Sequence, residues 1–278
     1  MMTSPTKGAK MKLALYSLSA ADCTPSQVVS LARQHGAHGI EWWCRQQGHI
    51  DTDNLLPSVK QAAKLTRDAG LEIVGLAPYF RLDPLDTVNG ILEAAAALGA
   101  PLVRCHTLGY PGYAPFAELA RLFRNWLEQV LELCRQHNVR LAIEQHHHQI
   151  GCTPNACRTL VEGFPPQSVG VIYDPGNALW EGWTAPQYAI DVLGEYLAHV
   201  HAKSSRVLPG GQNRPRGRMA PLHGCGLAEG DIDWKDVITQ LHVANYPGFL
   251  SLEALDARPS KQKVSEDLPF LQQLLASL

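Results

Sequence analysis

VRLAIEQ at residues 139–145, SVGVIYDPGN at 168–177 and LAHVHAKSS at 197–205 share one design. Each is a short apolar run that stops on a metal-ligand residue type: Glu144, Asp174 and His201. GFLSLEAL, at 248–255, repeats the pattern and stops on Glu253. Apolar runs of this length, rich in Val, Ile and Leu, read as buried strands. A carboxylate or imidazole at the exit of each predicts one site assembled from several strand ends.

Working outward, KLALYSLS from Lys12, HGIEWW from His38, LEIVGLA from Leu71 and PLVRCHT from Pro101 read as four earlier strands. Helical patterns separate them. Thr24-Pro25-Ser26-Gln27 supplies an N-cap, a proline at the first helical position and a capping-box glutamine. Asn54–Ala69 and Pro84–Leu98 are amphipathic and each is followed by glycine. Further helices are predicted from about Phe116 to His137, after Thr153-Pro154, near Gln187–Leu193, over Trp234–Val243 and over Ser260–Leu278. A long polar loop spans roughly Ser204 to Asp231. Strand–helix repetition forces parallel pairing through crossovers. The sequence therefore predicts a single-domain α/β fold, a (β/α)8 TIM barrel over residues 11–278, with residues 1–10 as a flexible extension. A doubly wound sheet is the competitor, but no glycine-rich phosphate loop follows Leu18.

Composition narrows the function classes. The chain has 278 residues, 45% of them hydrophobic and 18% charged, which is enough for a full core. A net charge of −2 argues against a nucleic-acid or anionic-membrane surface, either of which needs a basic excess. The seven cysteines are odd in number and contain no CxxC pair, so they read as free thiols in a reducing cytoplasm. Residues 1–10 are polar, unlike a signal peptide, and no run approaches the ~20 apolar residues of a membrane span.

In such barrels the active site lies at the C-terminal strand ends. A lone acid there usually caps a helix or pairs with a base. Four ligand types on four adjacent strands are harder to explain that way, because converging acids repel in a low-dielectric barrel mouth. Glu144, Asp174, His201 and Glu253 are thus the candidate metal ligands. Three carboxylates and one imidazole suit one divalent ion, Mn2+ first, with Mg2+, Co2+ or Zn2+ also accommodated.

At these residues the chain resembles the xylose isomerase-like barrel superfamily of sugar isomerases and epimerases. The motifs that carry the likeness are AIEQH at Ala142, IYDPGN at Ile172, HVHAK at His199, EGDIDW at Glu229 and LSLEAL at Leu250. The resemblance implies that the same four residues bind one divalent metal. It also implies that Glu144 and Glu253 face each other across the substrate as an acid/base pair. Members often form dimers or tetramers, so it implies a homo-oligomer. The implied activity is a metal-dependent isomerase or epimerase of carbohydrate metabolism, acting on a small-molecule sugar, keto-acid or related polyol. Such a reaction moves a proton beside a carbonyl through a metal-stabilised enediolate.

Two departures from the family pattern bear on the substrate. Asn177 stands where many members have a histidine, and Ser204 follows Lys203 where many have an aspartate. Asn177 can donate to a hydroxyl but cannot shuttle a proton. Candidate substrate contacts are His106, His146, Asn177, Lys203 and Arg206, the last two read as an anion clamp or lid with Arg214, Arg216 and Arg218. His147 and His148 read as loop residues, His199 as a packed core histidine, and Glu41 as pointing toward the same mouth. Three other readings compete: an inosose or dehydroshikimate-type dehydratase, a DNA-repair enzyme like endonuclease IV, and a non-catalytic sugar-binding protein. The repair reading needs more histidines than the chain supplies at the strand ends.

Overall fold

The computed structural model describes residues 10–110, 112, 114–208 and 222–278. Its strands and helices alternate as the hydrophobic pattern dictates. In order they are β1 (Lys12–Tyr16), α1 (Pro25–Gln34), β2 (Gly39–Trp43), α2 (Leu55–Asp68), β3 (Glu72–Ala77), α3 (Leu85–Leu98), β4 (Leu102–Cys105), α4 (Phe116–His137), β5 (Arg140–Glu144) and α5 (Pro154–Val161). There follow β6 (Val169–Tyr173), α6 (Pro175–Glu181), α7 (Pro186–Leu193), β7 (Leu197–Ala202), β8 (Ser204–Val207), β9 (Leu222–Cys225), α8 (Trp234–Val243), β10 (Phe249–Leu252) and α9 (Ser260–Ala276). Eight strands close into a parallel barrel in the order β1-β10-β7-β6-β5-β4-β3-β2. The expected (β/α)8 barrel is therefore the fold.

Local chemistry sets the element ends. The Thr24–Gln27 capping box forms in full, with Thr24 N donating to Gln27 Oε1 at 2.8 Å. Gly99 closes α3 at φ +84°, a left-handed conformation that a Cβ would strain.

Two expectations need correction. A helix directly after β6 went unread: α6 starts at Pro175, with Asp174 as its N-cap accepting from Asn177 N at 2.9 Å. Its seven residues are too few for helical periodicity to show. The segment after Lys203 is also not simply a loop. β8 and β9 pair antiparallel, Ser204 with Cys225 and Arg206 with His223. The basic stretch holding Arg214, Arg216 and Arg218 lies outside the described residues, as do residues 1–9.

The main apolar core lies between the barrel strands and the helix layer, where Trp42, Phe123, Val171 and Leu250 are buried. A smaller cluster of Leu102, Ala142 and Ile172 is separate from it. Each of these three precedes a site residue by two positions: Arg104, Glu144 and Asp174. By strand parity they form the layer beneath the site. Register shifts occur at Ile40/Glu41 and Val171/Ile172, close before Glu41 and Asp174. Such irregularities re-aim the side chains that follow them. Among the described residues no helix is long and apolar enough to cross a membrane. All seven cysteines are unpaired.

Candidate functional site

Glu144, Asp174, His201 and Glu253 each bring one ligand atom to within 4.8 Å of the others, and all four are buried. They leave β5, β6, β7 and β10, four neighbouring strands of the barrel. Strand alternation turns each inward at the same end.

His201 is oriented by its rear nitrogen. Its Nε2 lies 3.1 Å from both oxygens of Glu41. A carboxylate can only accept, so Nε2 carries a proton, and Nδ1 is the atom left for a metal or a second proton. Among the described residues Nδ1 is buried without a hydrogen-bond partner, 3.5 Å from Glu144 Oε1 and from Glu253 Oε2. Glu41 also accepts from His199 Nε2 at 3.1 Å and from Ser251 Oγ at 2.7 Å. Tyr16 stacks on the imidazole with centroids 5.6 Å apart. This carboxylate–histidine arrangement is the kind that aims an imidazole at a metal.

Two cations, the buried Arg104 and the part-buried Lys203, stand among the acids. Arg104 Nη1 donates to Glu144 Oε2 at 3.2 Å, while its Nε and Nη2 donate to the Pro78 carbonyl. Lys203 Nζ reaches Asp174 Oδ2 at 2.7 Å, Glu253 Oε2 at 2.9 Å and Asn177 Oδ1 at 3.1 Å. Gly176 permits this approach, since a Cβ there would meet Lys203 Cγ at 2.6 Å.

Among the described residues, four carboxylates (Glu41, Glu144, Asp174 and Glu253) thus face the Arg104 and Lys203 cations and the imidazole of His201. The protonation balance shows the strain. Burial opposes ionisation of Glu144, but Arg104 and then His201 outweigh it and hold the carboxyl well below its usual range. Burial likewise opposes Glu253, and Lys203 with His201 brings it to about 2. Asp174 is pushed up to about 6, because burial and the charges of Glu253 and Glu144 overcome Lys203. Burial disfavours the charged form of His201, yet Glu41 and Glu253 raise its basicity well above normal. A divalent ion would supply positive charge and compete with a proton for Nδ1. The donor set and the partnerless Nδ1 therefore fit a divalent metal.

A cavity of about 300 Å3 opens onto these groups, lined by Glu144, Glu253, Arg104, Lys203, His106, His146, His147, Asn177, Tyr79 and Trp180 among others. A larger hollow of about 930 Å3 lies between α7 and α8, remote from every site acid. None of the site acids lines it, so the smaller cavity is the candidate site.

His106 presents a donor edge to this cavity. Gln149 Oε1 accepts from Thr107 N and Oγ1, which turns Gln149 Nε2 toward His106 Nδ1 at 2.9 Å. The proton therefore sits on His106 Nε2, which is otherwise partnerless and 3.5 Å from Glu144 Oε2. Burial and Arg104 lower His106 to about 3, so the ring is neutral.

Of the residues singled out from sequence, the structure brings Glu144, Asp174, His201, Glu253, His106, His146, Asn177 and Lys203 together. Arg206 is elsewhere. Its Nε donates to the Glu229 carbonyl at 3.0 Å and it lines a separate hollow with Glu229 and Arg258. Lys203 is not free for an anion clamp either, being bound to two site acids. Trp180 lines the cavity, whereas Trp42 is core and donates to Thr66.

Sequence reasoning missed Arg104, His147 and the role of Glu41. A signal for the first and last was present. Each is a charge inside an otherwise apolar strand, LVRC and GIEWW, and a buried charge requires a partner.

Residues 29–274 match the family described as xylose isomerase-like TIM barrel. No curated protein matches the sequence. Among solved structures, the chain is similar to a probable 3-DHS dehydratase, AsbF, from Bacillus anthracis, with TM-score 0.74 and 18% identity over 94% of this chain and 99% of that one. It is similar to a D-allulose 3-epimerase from Methylomonas sp., with TM-score 0.71 and 16% identity over 98% and 100%. It is also similar to a xylose isomerase-like TIM barrel protein from Mycobacterium smegmatis in complex with magnesium, with TM-score 0.70 and 14% identity over 98% and 99%. At these identities the likeness establishes the fold alone.

Proposed function

This chain belongs to the xylose isomerase-like TIM barrel family, and on that premise we propose that it is a divalent-metal-dependent isomerase or epimerase of a small keto-sugar or related polyol. The observation that carries the reading is the partnerless Nδ1 of His201, aimed by Glu41 into a cluster of three acids. We assign the ligand role to Glu144, Asp174, His201 and Glu253. Mn2+ is the favoured ion, and the magnesium in the Mycobacterium smegmatis protein supports a hard divalent metal.

The bound ion would polarise the substrate carbonyl and a neighbouring hydroxyl. The remaining chemistry belongs to the chain. Glu144 and Glu253 are both held ionised, so either can accept a proton from the carbon beside the carbonyl. Burial favours the neutral acid and so helps the carboxylate take the proton, while Arg104 beside Glu144 and Lys203 beside Glu253 favour the carboxylate and so help return it at a different carbon or face. His106 Nε2–H can donate to a substrate hydroxyl without carrying charge. Asn177 joins the carboxylates by hydrogen bonds and contributes no proton transfer. The cavity is at the small end of the roughly 300–1,000 Å3 usual for small-molecule sites, which favours a compact substrate. The free cysteines support a reducing compartment, the cytoplasm.

The test is isotope wash-in. Ketoses, inososes and keto-acids are incubated with the protein in D2O with Mn2+, Mg2+, Co2+ or Zn2+, and carbon-bound deuterium is followed by NMR. Deuterium beside the carbonyl, with the substrate formula retained, is expected. Deuterium accompanied by loss of water would assign a dehydratase instead, in line with the AsbF-like fold. No exchange in any combination would sink the proposal.

A further inference from the structure

We infer that His147 is a positioning residue that fixes the amide of Asn177 and, through it, the placement of Glu144 relative to Asp174. The inference rests on the reading of those two carboxylates as metal ligands.

The His147 ring is held on both faces. His146 stacks against it with centroids 4.3 Å apart and planes 28° apart, and Trp180 does so at 4.9 Å and 23°. Two near-parallel neighbours this close must lie on opposite faces. The ring can then tilt little, and its Nδ1 meets Asn177 Oδ1 at 2.9 Å. The loop is tied a second time by the His148 backbone N–H, which donates to Glu181 Oε1 at 2.6 Å. Asn177, Trp180 and Glu181 all belong to α6, whose N-cap is Asp174. The histidine run therefore grips the helix that presents one of the ligands.

The Asn177 amide has one workable orientation. Its Nδ2 faces Asp174 Oδ2 at 2.6 Å, the Gln145 carbonyl at 3.1 Å and Glu144 Oε1 at 3.2 Å. Its Oδ1 faces Lys203 Nζ at 3.1 Å and His147 Nδ1. A flipped amide would set its oxygen against two carboxylates and its NH2 against an ammonium. Oδ1 is thus an acceptor, and His147 must present Nδ1–H. Asn177 is fully buried, so its amide groups depend on these partners alone. Removing the His147 donor leaves Oδ1 held by Lys203 alone, so the amide shifts toward the ammonium and the uncharged tie between Glu144 and Asp174 loosens.

Two measurements test this. The first is histidine 15N NMR of the wild type, with the His147 signals assigned by their loss in H147F. The Nδ1-protonated tautomer is expected; the Nε2-protonated tautomer would overturn the inference whether or not metal binds. The second is titration with Mn2+ alone by calorimetry. H147F keeps a flat ring between His146 and Trp180 but lacks the donor. It should bind Mn2+ about 10–100-fold more weakly, the usual cost of losing an outer partner of a ligand. H147Q keeps an N–H donor and should recover most of that loss. Wild-type affinity in H147F, or no recovery in H147Q, refutes the role. If the wild type itself takes none of Mn2+, Mg2+, Co2+ and Zn2+, the metal reading fails, and the inferred role in placing metal ligands falls with it. The tautomer then shows separately whether the His147–Asn177 bond stands.

Discussion

Glu41 on β2 and His201 on β7 meet across the barrel mouth, with the imidazole Nε2–H 3.1 Å from both carboxylate oxygens. Strands β1 and β10 lie between them, so only barrel closure creates this contact. Burial opposes the charge on Glu41, but His201 and His199 hold its carboxyl well below the usual range. The result is a fixed anion behind an imidazole whose other nitrogen faces three acids.

E41Q keeps the shape of the side chain and removes that anion. The ring would lose its fixed tautomer and part of its basicity. Mn2+ affinity should fall about 10-fold or more, while circular dichroism remains that of the wild type. Calorimetric titration of wild type and E41Q decides it; equal affinities would show that Glu41 does not orient His201.

Arg104 and Glu144 are 2% and 1% exposed, and their pairing is a buried one. Breaking such a pair from one side leaves an uncompensated charge. R104M should destabilise the fold by about 3–5 kcal/mol, read from urea denaturation. The double variant R104M/E144Q, which removes both charges, should recover most of that loss. A double variant no more stable than R104M would mean that Arg104 acts through its packing on Tyr79 and Tyr16.

Chelation provides a third check. Dialysis against EDTA should abolish deuterium exchange and lower the melting temperature. Returning Mn2+ at 100 times its dissociation constant should restore about 2.7 kcal/mol of stability. A melting temperature indifferent to both treatments would count against a native-state metal site.

His49 gives a pH dependence well away from the acids. It is buried, its Nε2 lies 2.9 Å from the Cys23 carbonyl and its Nδ1 has no partner. Burial lowers its basicity below the ordinary value of 6.5. A histidine depressed in the folded state binds its proton more readily when unfolded. Its contribution is therefore fully present above pH 6.5 and is lost as the pH falls toward the folded-state value. Urea midpoints measured from pH 7.5 to 5 should decline, and H49N should decline less steeply. Identical slopes would remove His49 from the account.

The elements predicted from periodicity recur in the structure almost residue for residue where the apolar pattern is long. α4 spans Phe116–His137 and α8 spans Trp234–Val243, as their stripes require. Short elements escaped because seven residues of α6, or four of β8, carry too little pattern. The acid cluster was legible because each member ends a recognisable strand. Three acids converging without a cation would repel, and the barrel mouth brings two cations of its own to them. Arg104 and Lys203 already offset two charges, and neither pairing could be read from spacing.

By itself the sequence determined the strand–helix alternation, the barrel and the strand ends that bear Glu144, Asp174, His201 and Glu253. These follow from local patterns of period two and 3.6, which each segment carries within itself. The tertiary structure alone decided which charges touch. It set Glu41 behind His201, Arg104 on Glu144, Lys203 between Asp174 and Glu253, and His147 on Asn177, and it turned Arg206 away to Glu229. The physical reason is that a contact between distant segments depends on barrel closure, register shifts and side-chain direction together. None of these is encoded in any one stretch of chain.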